Sequence, residues 1–146
     1  MERTLKVVQA RHAIEDIIFR YADAVDGADM ETVGRLLHAC TVTLPGDVVL
    51  QGGNAIRDHY SRTVVFYDRD ERVVPYARLA CSPRTRHITS NLIYDFDPAV
   101  TTADVQSYFT VYQTLGGTSR IIAGGRYVDR FEYGISGWTM VTRRIH

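Results

Sequence analysis

Between positions 8 and 25 the apolar residues Ile14, Ile17, Ile18, Tyr21, Ala22 and Val25 recur at the i, i+3, i+4, i+7 spacing of an amphipathic helix. Glu15, Asp16, Arg20 and Asp23 fill its other side. Asp26 stands four residues after Ala22 and eight after Ile18, so it continues a row on the flank of the buried stripe, whereas Asp23 points into solvent. Gly27 then follows, a residue suited to leaving a helix in the left-handed conformation. A carboxylate at a helix C-terminus opposes the macrodipole, so Asp26 is placed there by something other than helix stability.

Downstream, Asp29 caps a shorter helix through Leu37, with Val33, Leu36 and Leu37 on its apolar side. Residues 41–44 and 48–50 read as two strands about the turn Pro45-Gly46-Asp47. After Gly52-Gly53, Asn54 is the expected N-cap of a third helix with Ile56, Tyr60, Val64 and Tyr67 along one side. The pattern dissolves into charges and prolines over 68–84, a long connection over the mouth or edge of the domain. Residues 86–96, 103–115, 120–133 and 138–145 are strongly β and are separated by hairpin signals, which predicts one antiparallel meander. Gly124-Gly125 predicts a bulge or bend in the third of these strands. Helices followed by long strands imply an α+β fold, a cone-shaped curved antiparallel sheet packed against an N-terminal helical layer, with a pocket inside the cone.

Length and charge narrow the function classes. At 146 residues the chain is sized for one domain, 1–146, and 45% hydrophobic with 23% charged residues is ordinary for a soluble globular protein. Seventeen basic residues balance seventeen acidic ones, so no net field draws nucleic acid or an anionic membrane, and neither is expected as a partner. Seven arginines between Arg57 and Arg86 are interleaved with Asp58, Asp68, Asp70 and Glu71, the pattern of a solvated rim or subunit contact rather than an anion site. Cys40 and Cys81 lack metal or redox spacing and read as buried thiols of a reducing compartment. The N-terminus has no secretory pattern and no apolar run nears the roughly 18 residues of a membrane span, so a cytoplasmic location is expected.

Within the strands, alternation groups His87 with Thr89 and Asn91, opposite Ile88, Leu92, Tyr94 and Phe96. Such a face is either wet or the lining of a polar cavity. His12 and His38 sit in ordinary helical contexts, His59 among charges, and His146 at the last position. Tyr60, Phe66, Tyr108, Tyr112 and Trp138 would give a flat apolar substrate pocket suited to a ring, though core packing accounts for them equally well. Gly52-Gly53 lacks the surroundings of a phosphate loop, and the cysteines and histidines show no metal-ligand spacing; neither a cofactor nor a metal is expected.

Four of these stretches, Tyr21-x-x-x-x-Asp26-Gly27, Thr85-Arg86-His87, Ile122-Ala123-Gly124-Gly125-Arg126-Tyr127, and Gly137-Trp138 through Thr142-Arg143-Arg144, together resemble the SnoaL-like branch of the nuclear transport factor 2-like superfamily. The resemblance runs in order over almost the whole chain. Enzymes of that branch include scytalone dehydratase, hexachlorocyclohexane dehydrochlorinase and bile acid 7α-dehydratase, whose Asp–His pair matches Asp26 and His87; the last also resembles this chain at Tyr21. It implies a cofactor-independent lyase, of dehydratase type, or an isomerase acting on a small cyclic or aromatic-pathway metabolite, with His87 as base, Asp26 as its partner and Tyr21 assisting. It also implies a homo-oligomer, dimer or trimer. Two departures stand out: Gln113 or Thr114 falls where scytalone dehydratase has a second pocket histidine, and Val25 where it has a tyrosine. The same fold serves ketosteroid isomerase and the noncatalytic β subunits of ring-hydroxylating dioxygenases, so a binding or assembly domain is the alternative.

Overall fold

The structure is a computed structural model that describes residues 1–78 and 80–146. Among the described residues, three helices, α1 (Glu2–Asp26), α2 (Met30–Leu36) and α3 (Gly52–Thr63), alternate with and precede eight strands: β1 (Thr41–Leu44), β2 (Val48–Gln51), β3 (Phe66–Tyr67), β4 (Val73–Val74), β5 (Thr85–Phe96), β6 (Thr102–Leu115), β7 (Thr118–Gly134) and β8 (Gly137–Ile145). The meander β5 to β8 is antiparallel throughout, as its hairpin signals require. The β1–β2 hairpin extends it by pairing β1 parallel to β8, giving the order β2-β1-β8-β7-β6-β5; β3 and β4 form a separate small pair. This α+β architecture wraps one face of a curved sheet around the helices.

α1 lays Ile14, Ile18, Tyr21 and Val25 onto a core that includes Val105, Tyr127, Phe131 and Met140 of the sheet. Each fully buried aliphatic or aromatic side chain of this kind contributes about 1.5–3 kcal/mol relative to an exposed one. The helix begins six positions earlier than the apolar stripe, because its first turns are solvated and need no apolar face. Its exit differs from expectation: Gly27 keeps φ −82°, and Ala28 takes the left-handed conformation at φ 56°. Asp29 does cap α2, accepting from the backbone N–H and hydroxyl of Thr32 at 3.2 and 2.7 Å. Asn54 does not cap α3, which starts three residues sooner, after Gln51. The reason is steric: a Cβ on Gly53 would run into the backbone of Gly34, so the glycine pair lets α3 start directly against α2.

Register shifts curve the sheet. In β5 the pairing slips between Ser90 and Ile93, with Asn91 at φ 54°. The slip overturns simple alternation. His87 and Thr89 face inward before it, and Leu92, Tyr94 and Phe96 pack against the core after it, instead of lying on the opposite face. In β7 the irregularity falls at Ile122, opposite Val111 and Tyr112, just before the two glycines. Gly125 has another use, since a Cβ there would collide with the Phe109 ring.

The connection 68–84 contains β3's partner β4 and is tied down by charge: Arg84 pairs with Glu71 at 3.6 Å and Arg78 with Asp29 at 3.1 Å. Leu79 lies outside the described residues. Arg57 and Arg72 are likewise paired with Glu31, Asp58 and Asp70, so much of the arginine run is a rim of ion pairs. Cys40 is buried, which pushes its thiol up to about 12, while Cys81 is only half-buried, contrary to expectation. No helix among the described residues is long and apolar enough to cross a membrane.

Candidate active site

The last turn of α1 delivers Asp26 to the first residues of β5. Its Oδ1 accepts from the Thr85 hydroxyl at 3.0 Å and faces His87 Nδ1 at 2.6 Å; its Oδ2 accepts from the His87 backbone N–H at 2.7 Å. A carboxylate is an acceptor only, so Nδ1 carries the hydrogen in this contact and Nε2 is left as the free ring nitrogen. The side chains are 9% and 20% exposed for Asp26 and His87. His87 lines a cavity of about 390 Å³ inside the cone, whereas Asp26 stands behind it and does not. Thr85 therefore does two things: it lines the cavity and fixes the carboxylate.

Tyr21, one and a half turns before Asp26 on the same helix, also lines the cavity. Its hydroxyl is 3.0 Å from that of Tyr60 on α3, another lining residue. One of the two phenols donates to the other, which leaves one O–H of the pair for a third partner. Burial pushes the Tyr60 phenol well above its usual range, with the Tyr21 contact adding to the effect, so Tyr60 keeps its proton. Beneath them, the guanidinium carbon of Arg143 on β8 lies 4.5 and 3.9 Å from the centroids of the Tyr21 and Tyr127 rings, and the group forks onto Asp129 with bonds of 2.8 and 2.7 Å. Burial works against the guanidinium charge, but Asp129 outweighs it and raises the Arg143 pKa. Arg143 Nη1 is buried without a hydrogen-bond partner among the described residues.

The remaining wall is mostly apolar, with Val25, Leu44, Phe109, Val111, Ile122 and Ile145 among its members. Of the aromatics expected there, only Tyr60 lines this cavity. Tyr108 and Tyr112 point outward from β6, because the inward positions are Ser107, Phe109, Val111 and Gln113. Phe66 is packed in the core against Tyr76, and Trp138 lines a different cavity, at the opposite end of the sheet with Lys6, Ala10 and Tyr133. Four polar residues at the cavity were not singled out by sequence: His59, Thr63, Tyr67 and, except as a departure from scytalone dehydratase, Gln113. His59 sits three residues after the buried Ile56, a spacing that carried the signal, but its charged neighbours masked it. Gln113 alternates with Phe109 and Val111, which marks it as inward-facing. Among the described residues, no three His, Cys, Asp or Glu side chains converge as metal ligands would.

Comparison with known proteins adds family and fold. The family model described as SnoaL-like domain matches residues 6–144. Among solved structures, the chain is similar to a candidate scytalone dehydratase from Novosphingobium aromaticivorans, with 22% identity and a TM-score of 0.72 over 98% of this chain and 87% of that one. It is also similar to a hexachlorocyclohexane dehydrochlorinase from Novosphingobium barchaimii, at 16% identity and TM-score 0.74, covering 98% and 89%. A Mycobacterium tuberculosis protein of unknown function gives 22% identity and TM-score 0.70, covering 99% and 73%. At these identities the likeness is one of fold. A search of curated proteins gives no significant match.

Proposed function

The chain belongs to the SnoaL-like domain family, and on that premise we propose that it is a cofactor-independent lyase of the dehydratase type, or an isomerase, acting on a small cyclic metabolite. The observation that supports this reading most is the placement of His87: its ring lines the cavity while Nδ1 is held at 2.6 Å by a carboxylate outside it. That is the arrangement of a general base with a fixed tautomer.

In this reading the substrate carries a C–H bond next to a carbonyl, and a hydroxyl one carbon further on. His87 Nε2 takes the proton, and the C–H electron pair passes into the carbonyl as an enolate. Asp26 stabilises the imidazolium so formed. The free O–H of the Tyr21–Tyr60 pair donates to the enolate oxygen, and the Arg143 charge beneath Tyr21 favours negative charge above it. The enolate then re-forms the carbonyl, a C=C bond forms, the C–O bond breaks, and Nε2 returns its proton to the leaving hydroxyl, releasing water from the same face. An isomerase would return that proton to carbon instead.

The test is a panel of one- and two-ring β-hydroxyketones followed by the rise of enone absorbance, together with exchange of the α-proton in deuterated water. Turnover that disappears in His87→Ala and Asp26→Asn, with circular dichroism unchanged, is the expected result. Exchange and elimination that persist in either variant would refute the pair. The second reading, an assembly domain, draws on the outer sheet face, where Ile88, Ile93, Tyr108, Tyr112 and Ile121 are exposed together. The same patch supports a proposal of self-association into a dimer or trimer, which sedimentation would report.

A further inference from the structure

Next to the dyad, on the sheet side of the cavity, three polar residues form a directed chain. Arg120 donates from Nε and Nη2 to Gln113 Oε1 at 3.3 and 3.0 Å, and Gln113 Nε2 donates to the Tyr67 hydroxyl at 3.1 Å. The direction of these bonds is fixed by chemistry. A guanidinium only donates, so the Gln113 carbonyl must face Arg120 and its NH₂ must face Tyr67. Having accepted one hydrogen bond, the Tyr67 oxygen has its own O–H left to give, and both Tyr67 and Gln113 line the cavity.

The register places this donor beside the dyad. Gln113 pairs with Thr85 and Val111 with His87, so Gln113 and His87 are diagonal neighbours on the inner face, roughly 7–8 Å apart. Gln113 is 7% exposed, and a glutamine this buried in a mainly apolar cavity costs stability unless its polar ends are used.

We propose that Tyr67, aimed through Gln113 by Arg120, is a substrate-anchoring donor that selects ligands carrying an acceptor oxygen, a carbonyl or carboxylate oxygen on a small ring system. It takes an oxygen other than the one facing Tyr21, which makes the preferred ligand oxygenated at two places. The inference rests on the reading of the cavity as a substrate site, but not on the dyad being reactive.

Binding of matched probes tests it without turnover. 1-Indanone, 1-indanol and indane are titrated by calorimetry into a Tyr21→Phe/Tyr60→Phe parent, in which the paired phenols no longer offer a carbonyl donor, and into the same parent carrying Tyr67→Phe, Gln113→Glu or Arg120→Met. That parent is expected to bind 1-indanone about tenfold more tightly than indane, the scale of one net hydrogen bond. Tyr67→Phe should erase that ratio while leaving indane affinity unchanged, which separates a lost donor from a damaged pocket. Gln113→Glu keeps an acceptor for Arg120 but draws the Tyr67 proton toward itself, so 1-indanone should lose its advantage while 1-indanol, able to donate, keeps it. Arg120→Met frees the amide to flip and should shrink the 1-indanone ratio. An equal affinity of the Tyr21→Phe/Tyr60→Phe parent for 1-indanone and indane, or an unchanged ratio when Tyr67→Phe is added to it, overturns the proposal. Loss of catalysis in dyad variants that still discriminate 1-indanone from indane would leave it standing.

Discussion

Asp26–His87 and Asp129–Arg143 are two carboxylate–base pairs inside one cone, and both are bonded at short range. Their surroundings divide their roles. Asp129 and Arg143 have no exposed side-chain surface, and the guanidinium sits in the corner between two perpendicular tyrosine rings. Its charge is permanent, so the pair can hold β7 to β8 and set the local field but cannot exchange a proton. In the other pair the base is an imidazole whose second nitrogen remains free, and its ring reaches the cavity. The same attraction thus yields a fixed strut where access is denied and a titratable group where one ring edge is left uncovered.

That contrast can be broken from either side. The largest effect expected is on turnover: His87→Ala should lower kcat by about 10²–10⁴, the scale of a lost general base, with little change in melting temperature. Cutting one partner of the buried strut should instead be a stability event. Asp129→Ala or Arg143→Ala leaves an unpaired charge in the core and should cost about 3–5 kcal/mol in urea denaturation. Asp26→Asn falls between the two kinds: its three donors, the Thr85 hydroxyl, the His87 amide and the His87 ring, all lose a charged acceptor and at least one of them then faces an NH₂ group, so a stability loss of about 1–2 kcal/mol should accompany the fall in activity. Replacing both strut residues together, Asp129→Leu with Arg143→Met, should recover most of the single-variant loss, to within about 2 kcal/mol of the wild type. A double variant as unstable as the singles would mean that Arg143 matters chiefly through Tyr21 and Tyr127. Smallest of all, Tyr108→Thr on the outer face should shift the stability of the monomer by less than about 0.5 kcal/mol.

The helical stripe, the Asp29 cap and the four long strands were legible because each rests on a local period or a turn residue. Asp26 was legible for the same reason, as a carboxylate continuing a buried row. What escaped was set by register. Tyr108 and Tyr112 read as pocket residues because composition does not say which face of β6 is inward, and Trp138 because the strand carries it to the other end of the cone. The Asp129–Arg143 strut escaped for a related reason: opposite charges on neighbouring strands look like surface pairs until the pairing Asp129↔Arg143 and the covering tyrosines are seen. Gln113 shows the limit from another direction, since its use depends on Arg120 across the same hairpin and Tyr67 from a separate pair of strands.

The slip in β5 between Ser90 and Ile93 divides the strand into two reading frames. Residues before it are held in phase with Asp26, and residues after it are in phase with the core beneath α1. The dyad is thereby insulated from length changes further along: a residue gained or lost at the β5–β6 turn near Pro98 could be absorbed at the slip without turning His87 to the outside. A gain or loss between Thr85 and Ser90 has no such buffer, and it would put Ile88 or Arg86 where the imidazole now stands.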